Sequence, residues 1–298
     1  MKGLLNTYAT ATGQLINPSK CSILFLDNCL PSVVQEVKSV LEITQEVFEP
    51  KYLGLPVPEG RIHKGNFATI QDRLRKKLID WSEQYVSSGN KEILIKAMAH
   101  ALPTYVMSVF KLPASVCDKL TRMIPQYWWG VENGKKKMAW MSWDRLRLPK
   151  SMGGMGFKDM RAFNQALLAK QAWHLIDTTD SLCARLMKAR YFASGQLLDT
   201  SFSGNGSSVW KGILHGLELL KRCVIWRVGN GADIRTWRDP WIPRPSTFRP
   251  ITPKGNCRLN RVADFIDDNG AWRVDRLREF FWPMDVDYIL KTRTPQPR

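Results

Sequence analysis

The sequence has no Cys-x-x-Cys pair, no histidine at metal-ligand spacing from a cysteine, and no run of about 18 apolar residues. The first two absences leave no Cys/His metal site. Cys21, Cys29, Cys117, Cys183, Cys223 and Cys257 are therefore read as reduced, mostly buried thiols. His63, His100, His174 and His215 are read as isolated surface or satisfied residues. The third absence removes a membrane-spanning helix. Met1 to Asn6 also lacks the apolar run and small-residue cleavage site of a secretory signal. A soluble, intracellular protein with no membrane partner is expected. No repeat of 20 to 50 residues is present, and no small-molecule substrate or cofactor is indicated.

Acidic side chains are scarce: 27 Asp plus Glu face 44 Lys plus Arg, for a net charge of +17. Residues 1–50 hold 3 basic and 5 acidic side chains, so the remaining 248 carry +19. Such an excess is the footprint of a polyanion partner, with a merely solvated basic face as the alternative. Hydrophobic residues at 44% and charged residues at 24% of a 298-residue chain are normal for a folded protein with one large or two modest domains.

The start, Thr7 to Gly13, reads as the end of a helix with a C-terminal glycine and hints at a fragment. Cys21 to Leu26 suits a buried strand, Val34 to Leu41 a helix, and Lys51 to Val57 a short or edge strand. Phe67, Ile70, Leu74, Leu78, Trp81 and Tyr85 recur every three or four residues, predicting an amphipathic helix over 66–86 whose other face carries Arg73, Arg75, Lys76 and Lys77. Further helices are predicted from Ser88 or Asn90 to Pro103, over 113–130, over 159–176 and over 181–191. Ser201 to Ser208 reads as a linker. Val224 to Val228 and Ile234 to Trp237, around Gly229-Asn230-Gly231, predict a short hairpin across which Trp226 and Trp237 pair. Trp81 and Trp173 fall on apolar helix faces. A helical pattern resumes from Trp272 to Leu290.

Gly13-Gln14-Leu15-Ile16-Asn17-Pro18-Ser19-Lys20-Cys21-Ser22 resembles the G-Q-x-I-N-x-x-K-S segment that follows the catalytic hairpin of plant LINE-type, non-LTR retrotransposon reverse transcriptases. Six further stretches are similar to landmarks of that family, in the same order. They are Tyr52 to Pro56, Leu102 to Tyr105, Trp128-Trp129-Gly130, Leu148-Pro149-Lys150 with Gly153 to Gly156, Asn164 to Lys170, and Trp226 to Gly231 with Trp237 to Trp241. The resemblance implies an α+β, predominantly helical fold. Residues 1–60 would be a small mixed α/β palm remnant and 61–200 a helical thumb-like region. Residues 201–208 would be a linker, 209–290 a hairpin-containing module and 291–298 a disordered tail.

In the family an F/Y-x-D-D hairpin precedes the Gly-Gln segment, but here only twelve residues precede Gly13 and none is acidic. Nucleotidyl transfer needs two divalent ions held about 3.5–4 Å apart by carboxylates. The expectation is a pseudoenzyme without polymerase activity on its own, with Mg²⁺ belonging only to the intact family enzyme. Lys20, aligned with a lysine near the incoming nucleotide, would be vestigial. Phe265-Ile266-Asp267-Asp268 has the literal form of the catalytic motif but stands far too late, and reads as a surface turn.

RNA, DNA or an RNA–DNA hybrid, bound with low specificity, is the implied partner. Candidate phosphate contacts are Arg73, Arg75, Lys76 and Lys77; Lys135, Lys136 and Lys137; and Arg145, Arg147 and Lys150. Two alternatives stay open: part of a longer active reverse transcriptase, or an unselected product of a decayed element. The family implies the nucleus, with mitochondria as the other compartment.

Overall fold

The computed structural model describes residues 2–15, 17, 21, 23, 25, 28–43, 51–56, 64–84, 86–132, 135–201, 206–244 and 247–292. The chain is predominantly helical, with strand confined to two-residue ladders. It divides into two units, Met1–Gln84 and Tyr85–Arg298.

The first unit opens with α1 (Lys2–Thr12) and α2 (Pro31–Leu41), the latter begun by a proline whose fixed φ suits the first helical turn. Cys21, Ile23 and Phe25 are half-buried without strand pairing, so the described part of the expected buried strand is irregular. β1 (Lys51–Tyr52) and β2 (Leu55–Pro56) form an antiparallel pair. Leu53 and Gly54 both take positive φ, 50° and 79°, as a two-residue hairpin turn requires. A short 3₁₀ turn then leads into α3 (Ala68–Ser82), which buries Gln71, Leu74, Leu78 and Trp81 along one stripe.

The second unit begins with α4 (Ser88–Leu94), capped by the Ser87 side chain and continued by a π-helical turn through Ala99. α5 (Thr104–Met107) and α6 (Ala114–Trp129) follow. α6 buries Val116, Cys117, Leu120, Ile124 and Tyr127 at helical spacing. β3 (Val131–Glu132) and β4 (Lys135–Lys136) pair antiparallel, ahead of α7 (Trp143–Arg147).

α8 (Met160–Asp177) starts at Asp159, whose carboxylate accepts from the Arg161 and Ala162 amides. The Asn164 side chain is buried and donates to the Met107 and Phe110 carbonyls while accepting from the Leu112 amide, which ties α8 to the α5–α6 turn. α9 (Leu182–Tyr191) is capped by Ser181.

α10 (Ser208–Cys223) has no counterpart among the predicted elements. Its Trp210, Ile213, Leu214 and Leu217 join Ala172, Leu175, Ala184 and Leu197 in one core. Gly212 and Gly216 permit the close crossing with α8, since a Cβ on Gly216 would lie 2.2 Å from the Leu168 carbonyl carbon. α8 and α10 therefore pack together across the stretch read as a linker, of which 202–205 lie outside the described residues.

The C-terminal core gathers Val228, Ile234, Trp241, Ile242, Val262, Phe265, Ile266, Leu277, Phe281, Val286 and Ile289. The last four come from or flank α11 (Val274–Phe280) and α12 (Pro283–Leu290).

The hairpin predicted over 224–237 does not form, because its backbone groups find partners elsewhere. The Trp226 amide donates to the Pro240 carbonyl, Thr236 to Asn260, and Val262 to Ile234. Gly231, at φ 73°, holds the loop so close to 262–263 that a Cβ there would lie 2.6 Å from the Ala263 nitrogen. Trp226 and Trp237 pack on the C-terminal core instead of pairing across strands.

Two other expectations change. Cys183 and Cys223 are exposed, Cys21 and Cys29 are half-buried, and only Cys117 and Cys257 are buried. Trp173 is 41% exposed, whereas Trp81 is buried. Among the described residues no helix is long and apolar enough to cross a membrane. Residues 293–298 lie outside the described residues.

Candidate nucleic-acid interface

In the first unit Arg73, Arg75, Lys76 and Lys77 are all exposed on α3, and none pairs with a carboxylate among the described residues. A helix turns about 100° per residue, so Leu74 and Leu78 fix the buried side. Lys76 then stands opposite them in a row with Asp72 and Asp80, Arg73 and Lys77 lie on one flank, and Arg75 on the other. The four cations thus wrap three sides of the helix, with two carboxylates on the outermost row. This arrangement presents positive charge in several directions rather than one.

In the second unit, Lys135 and Lys136 lie in β4, and their side chains fall outside what the structure describes. Lys137 is exposed, and its amide donates to the Gly130 carbonyl. Arg145 is exposed on α7 with no carboxylate partner among the described residues. Arg147 is engaged by Asp144 at 2.9 Å and by Asp159. Lys150 reaches Glu92 at 3.0 Å, and Lys96 meets the same carboxylate at 2.7 Å. The Lys96 and Lys150 ammonium groups hold the Glu92 carboxyl below its ordinary range. Arg145 is accordingly better placed for an incoming phosphate than Arg147 or Lys150. Lys20 lies outside the described residues.

The glycine-rich stretch is a scaffold for this surface. Gly154 sits so close to α7 that a Cβ would lie 2.1 Å from the Leu148 carbonyl oxygen, and Gly153 and Gly156 take φ of 77° and 70°. The turn delivers Phe157 into an aromatic cluster, stacked on Trp143 at 4.8 Å and edge-on to Trp128 at 5.4 Å. His100 meets the same ring edge at 6.2 Å. Burial, reinforced by the charges of Lys158 and Lys96, pushes the His100 imidazole down to about 4. The stretches 128–130, 148–150 and 153–156 thus meet in one packing unit.

Two further landmarks hold the fold in the same way. Asn164 clamps the α5–α6 turn. Asp239 of the last landmark accepts from Arg235, which also donates to Asp199 and Gln196. Asp199 first and Asp239 next hold that guanidinium protonated above its ordinary range.

Asp267 and Asp268 form a turn: the Asp267 carboxylate accepts from the Ala271 amide, and Asp268 is exposed. Among the described residues no group of three or more His, Cys, Asp or Glu is placed to hold a metal ion.

One surface group was missed from the sequence. Trp140 is 85% exposed and Met138 75% exposed, between Lys137 and Arg145. The signal was an aromatic residue three positions beyond a run of three lysines.

The fold and this surface define a basic, predominantly helical protein in which several sequence landmarks of the second unit serve packing. No family model matches the chain. Over 152 residues it is 38% identical to the "Uncharacterized mitochondrial protein AtMg00310" of Arabidopsis thaliana, spanning 51% of this chain and 99% of that protein, and it belongs to the same family. It is also 31% identical over 230 residues to the "Putative ribonuclease H protein At1g65750" of Arabidopsis thaliana. That match takes in 76% of this chain but only 36% of the longer relative.

Proposed function

We propose that the chain is a retroelement-derived protein, a catalytically incomplete part of a LINE-type RNA-directed DNA polymerase that keeps non-specific nucleic-acid binding. The observation that carries this reading is α3, where four exposed cations stand without carboxylate partners among the described residues. The net charge of +17 and the relative named for ribonuclease H support it. Binding of this kind grips phosphates through charge and is tolerant of sequence. The incompleteness in this reading is that of the twelve residues ahead of Gly13, which carry no F/Y-x-D-D to hold the two metal ions of nucleotidyl transfer.

A second reading, a segment of a longer active enzyme, is favoured by the 36% coverage of the longer relative. The compartment goes with the element: the nucleus for an intact copy, and the mitochondrion for a copy like the Arabidopsis relative named as mitochondrial.

Fluorescence anisotropy with a labelled RNA–DNA hybrid tests the binding. Affinity should fall by orders of magnitude between about 50 and about 200 mM salt. It should fall again when Arg73, Arg75, Lys76 and Lys77 are changed to Gln. A folded protein that fails to bind at low salt overturns the reading. Primer extension with template, nucleotides and Mg²⁺ that survives repurification overturns the claim of incompleteness.

A further inference from the structure

We propose that Trp140 is a stacking platform for an unpaired base of single-stranded RNA or DNA. The inference rests on the nucleic-acid reading above and gives it a preference for single strands. Most tryptophans of the second unit are accounted for by packing. Trp143 stacks on Phe157, Trp210 on Tyr191, Trp237 on Phe281, and Trp241 on Trp272. Trp140 is the most exposed of them, with 85% of its surface in water against 41% for Trp173 and 50% for Trp282. An indole left in water forgoes the stabilisation that burying a large apolar side chain contributes, so the fold itself gains little from it. Met138, 75% exposed, extends the apolar surface on the same strand of chain.

The charge around Trp140 selects the occupant. From Glu132 to Lys150 there are six Lys and Arg against two Asp and Glu. The exposed Lys137 lies three residues before the indole, which chain geometry keeps within about 11 Å. The exposed Arg145 lies five residues after it. An aromatic face between cations suits a strand whose bases are free to stack and whose phosphates follow the basic residues. A duplex keeps its bases in its own stack and offers that face nothing. An apolar protein surface would gain nothing from the flanking cations.

The segment that follows is anchored: Ser142 caps α7, and Gly153 to Gly156 and the Trp143–Phe157 stack hold the far end. Trp140 itself contributes little to that support, so removing its side chain leaves the fold in place.

The test compares the full chain with Trp140→Ala and Trp140→Phe, by anisotropy at about 50 mM salt. The probes are a labelled 12-nucleotide RNA and a labelled 20-base-pair RNA–DNA hybrid. Trp140→Ala should weaken single-strand binding on the order of ten-fold and leave hybrid binding unchanged, while Trp140→Phe stays near the parent because a phenyl ring also stacks. An unchanged single-strand affinity, or an equal loss on both probes, overturns the platform. Failure of the unaltered, folded protein to bind either probe is a separate result: it overturns the nucleic-acid reading as a whole. Thermal unfolding midpoints of the three proteins should coincide.

Discussion

Arg244 and Asp285 form an ion pair 2.7 Å long with side chains only 7% and 1% exposed. The carboxylate has more partners than the guanidinium: it also accepts from the Ile251 amide at 3.0 Å, the Thr252 amide at 2.8 Å, and the Thr252 hydroxyl. Thr252 in turn accepts from the Trp282 amide at the start of α12. Asp285 is thus a junction between α12 and the loop around Ile251 and Thr252, and the arginine is one of its donors.

The two members of the pair should therefore respond unequally to substitution. Asp285→Ala strands a buried guanidinium and two backbone amides, and is expected to destabilise by about 3–5 kcal/mol. Arg244→Met fills similar volume, leaves the carboxylate with its amide and hydroxyl donors, and should cost clearly less. Urea unfolding of both variants checks the order, and equal losses would show that the ion pair alone accounts for the role of Asp285.

Asn164 makes a similar demand on its surroundings. Its amide serves two carbonyls and one backbone N–H in a buried turn, so Asn164→Ala should cost about 2–4 kcal/mol. Asn164→Asp should be worse, since the carboxylate has no hydrogen to give the Met107 and Phe110 carbonyls. A chemical-denaturation series including Asn164→Gln reads the order. An Asp variant as stable as the parent would contradict the hydrogen-bond assignment.

How far the sequence foretold the structure depends on where each element's partners lie. The α3 and α6 stripes were legible because each helix carries its own apolar period. α10 was missed although Trp210, Ile213, Leu214 and Leu217 keep that period, because Gly212 and Gly216 look like helix breakers until the opposing backbone of α8 is known. The hairpin over 224–237 was read from local turn chemistry, while its hydrogen-bond partners came from 240 and 260–262. In the candidate interface the cations were visible as residue types. The engagement of Arg147 by Asp159 and of Lys150 by Glu92 was not, because each pairing crosses from one element to another.

The α8–α10 crossing supplies its own prediction. Gly216→Ala places a Cβ against the Leu168 backbone at 2.2 Å, where neither helix has a flexible side chain to move aside. Despite the better helix propensity of alanine, a loss of about 1–3 kcal/mol is expected. Gly89→Ala in α4 meets nothing within 4 Å and should be neutral or slightly stabilising. Thermal melts of the two variants distinguish local propensity from close packing.

His100 should make stability fall as the solution is acidified. Its imidazole is 1% exposed, and neither ring nitrogen has a hydrogen-bond partner among the described residues. The folded protein holds it neutral down to about pH 4, whereas the unfolded chain takes up the proton near 6.5. Between those values the unfolded state binds more protons, so stability is fully present above pH 6.5 and declines towards pH 4. A difference of about two and a half pH units corresponds to roughly 3 kcal/mol. His100→Leu has nothing to titrate at this position, and beside Phe157 it also removes two unsatisfied nitrogens. Its stability should match or exceed that of the parent at pH 7.5, with a flatter profile below pH 6.5. Other groups, His215 among them, titrate in the same window, so the informative quantity is the parent-minus-variant difference across pH. A difference that stays constant from pH 7.5 to 4.5 would mean that the imidazole takes up its proton equally well in both states and is not held neutral by burial.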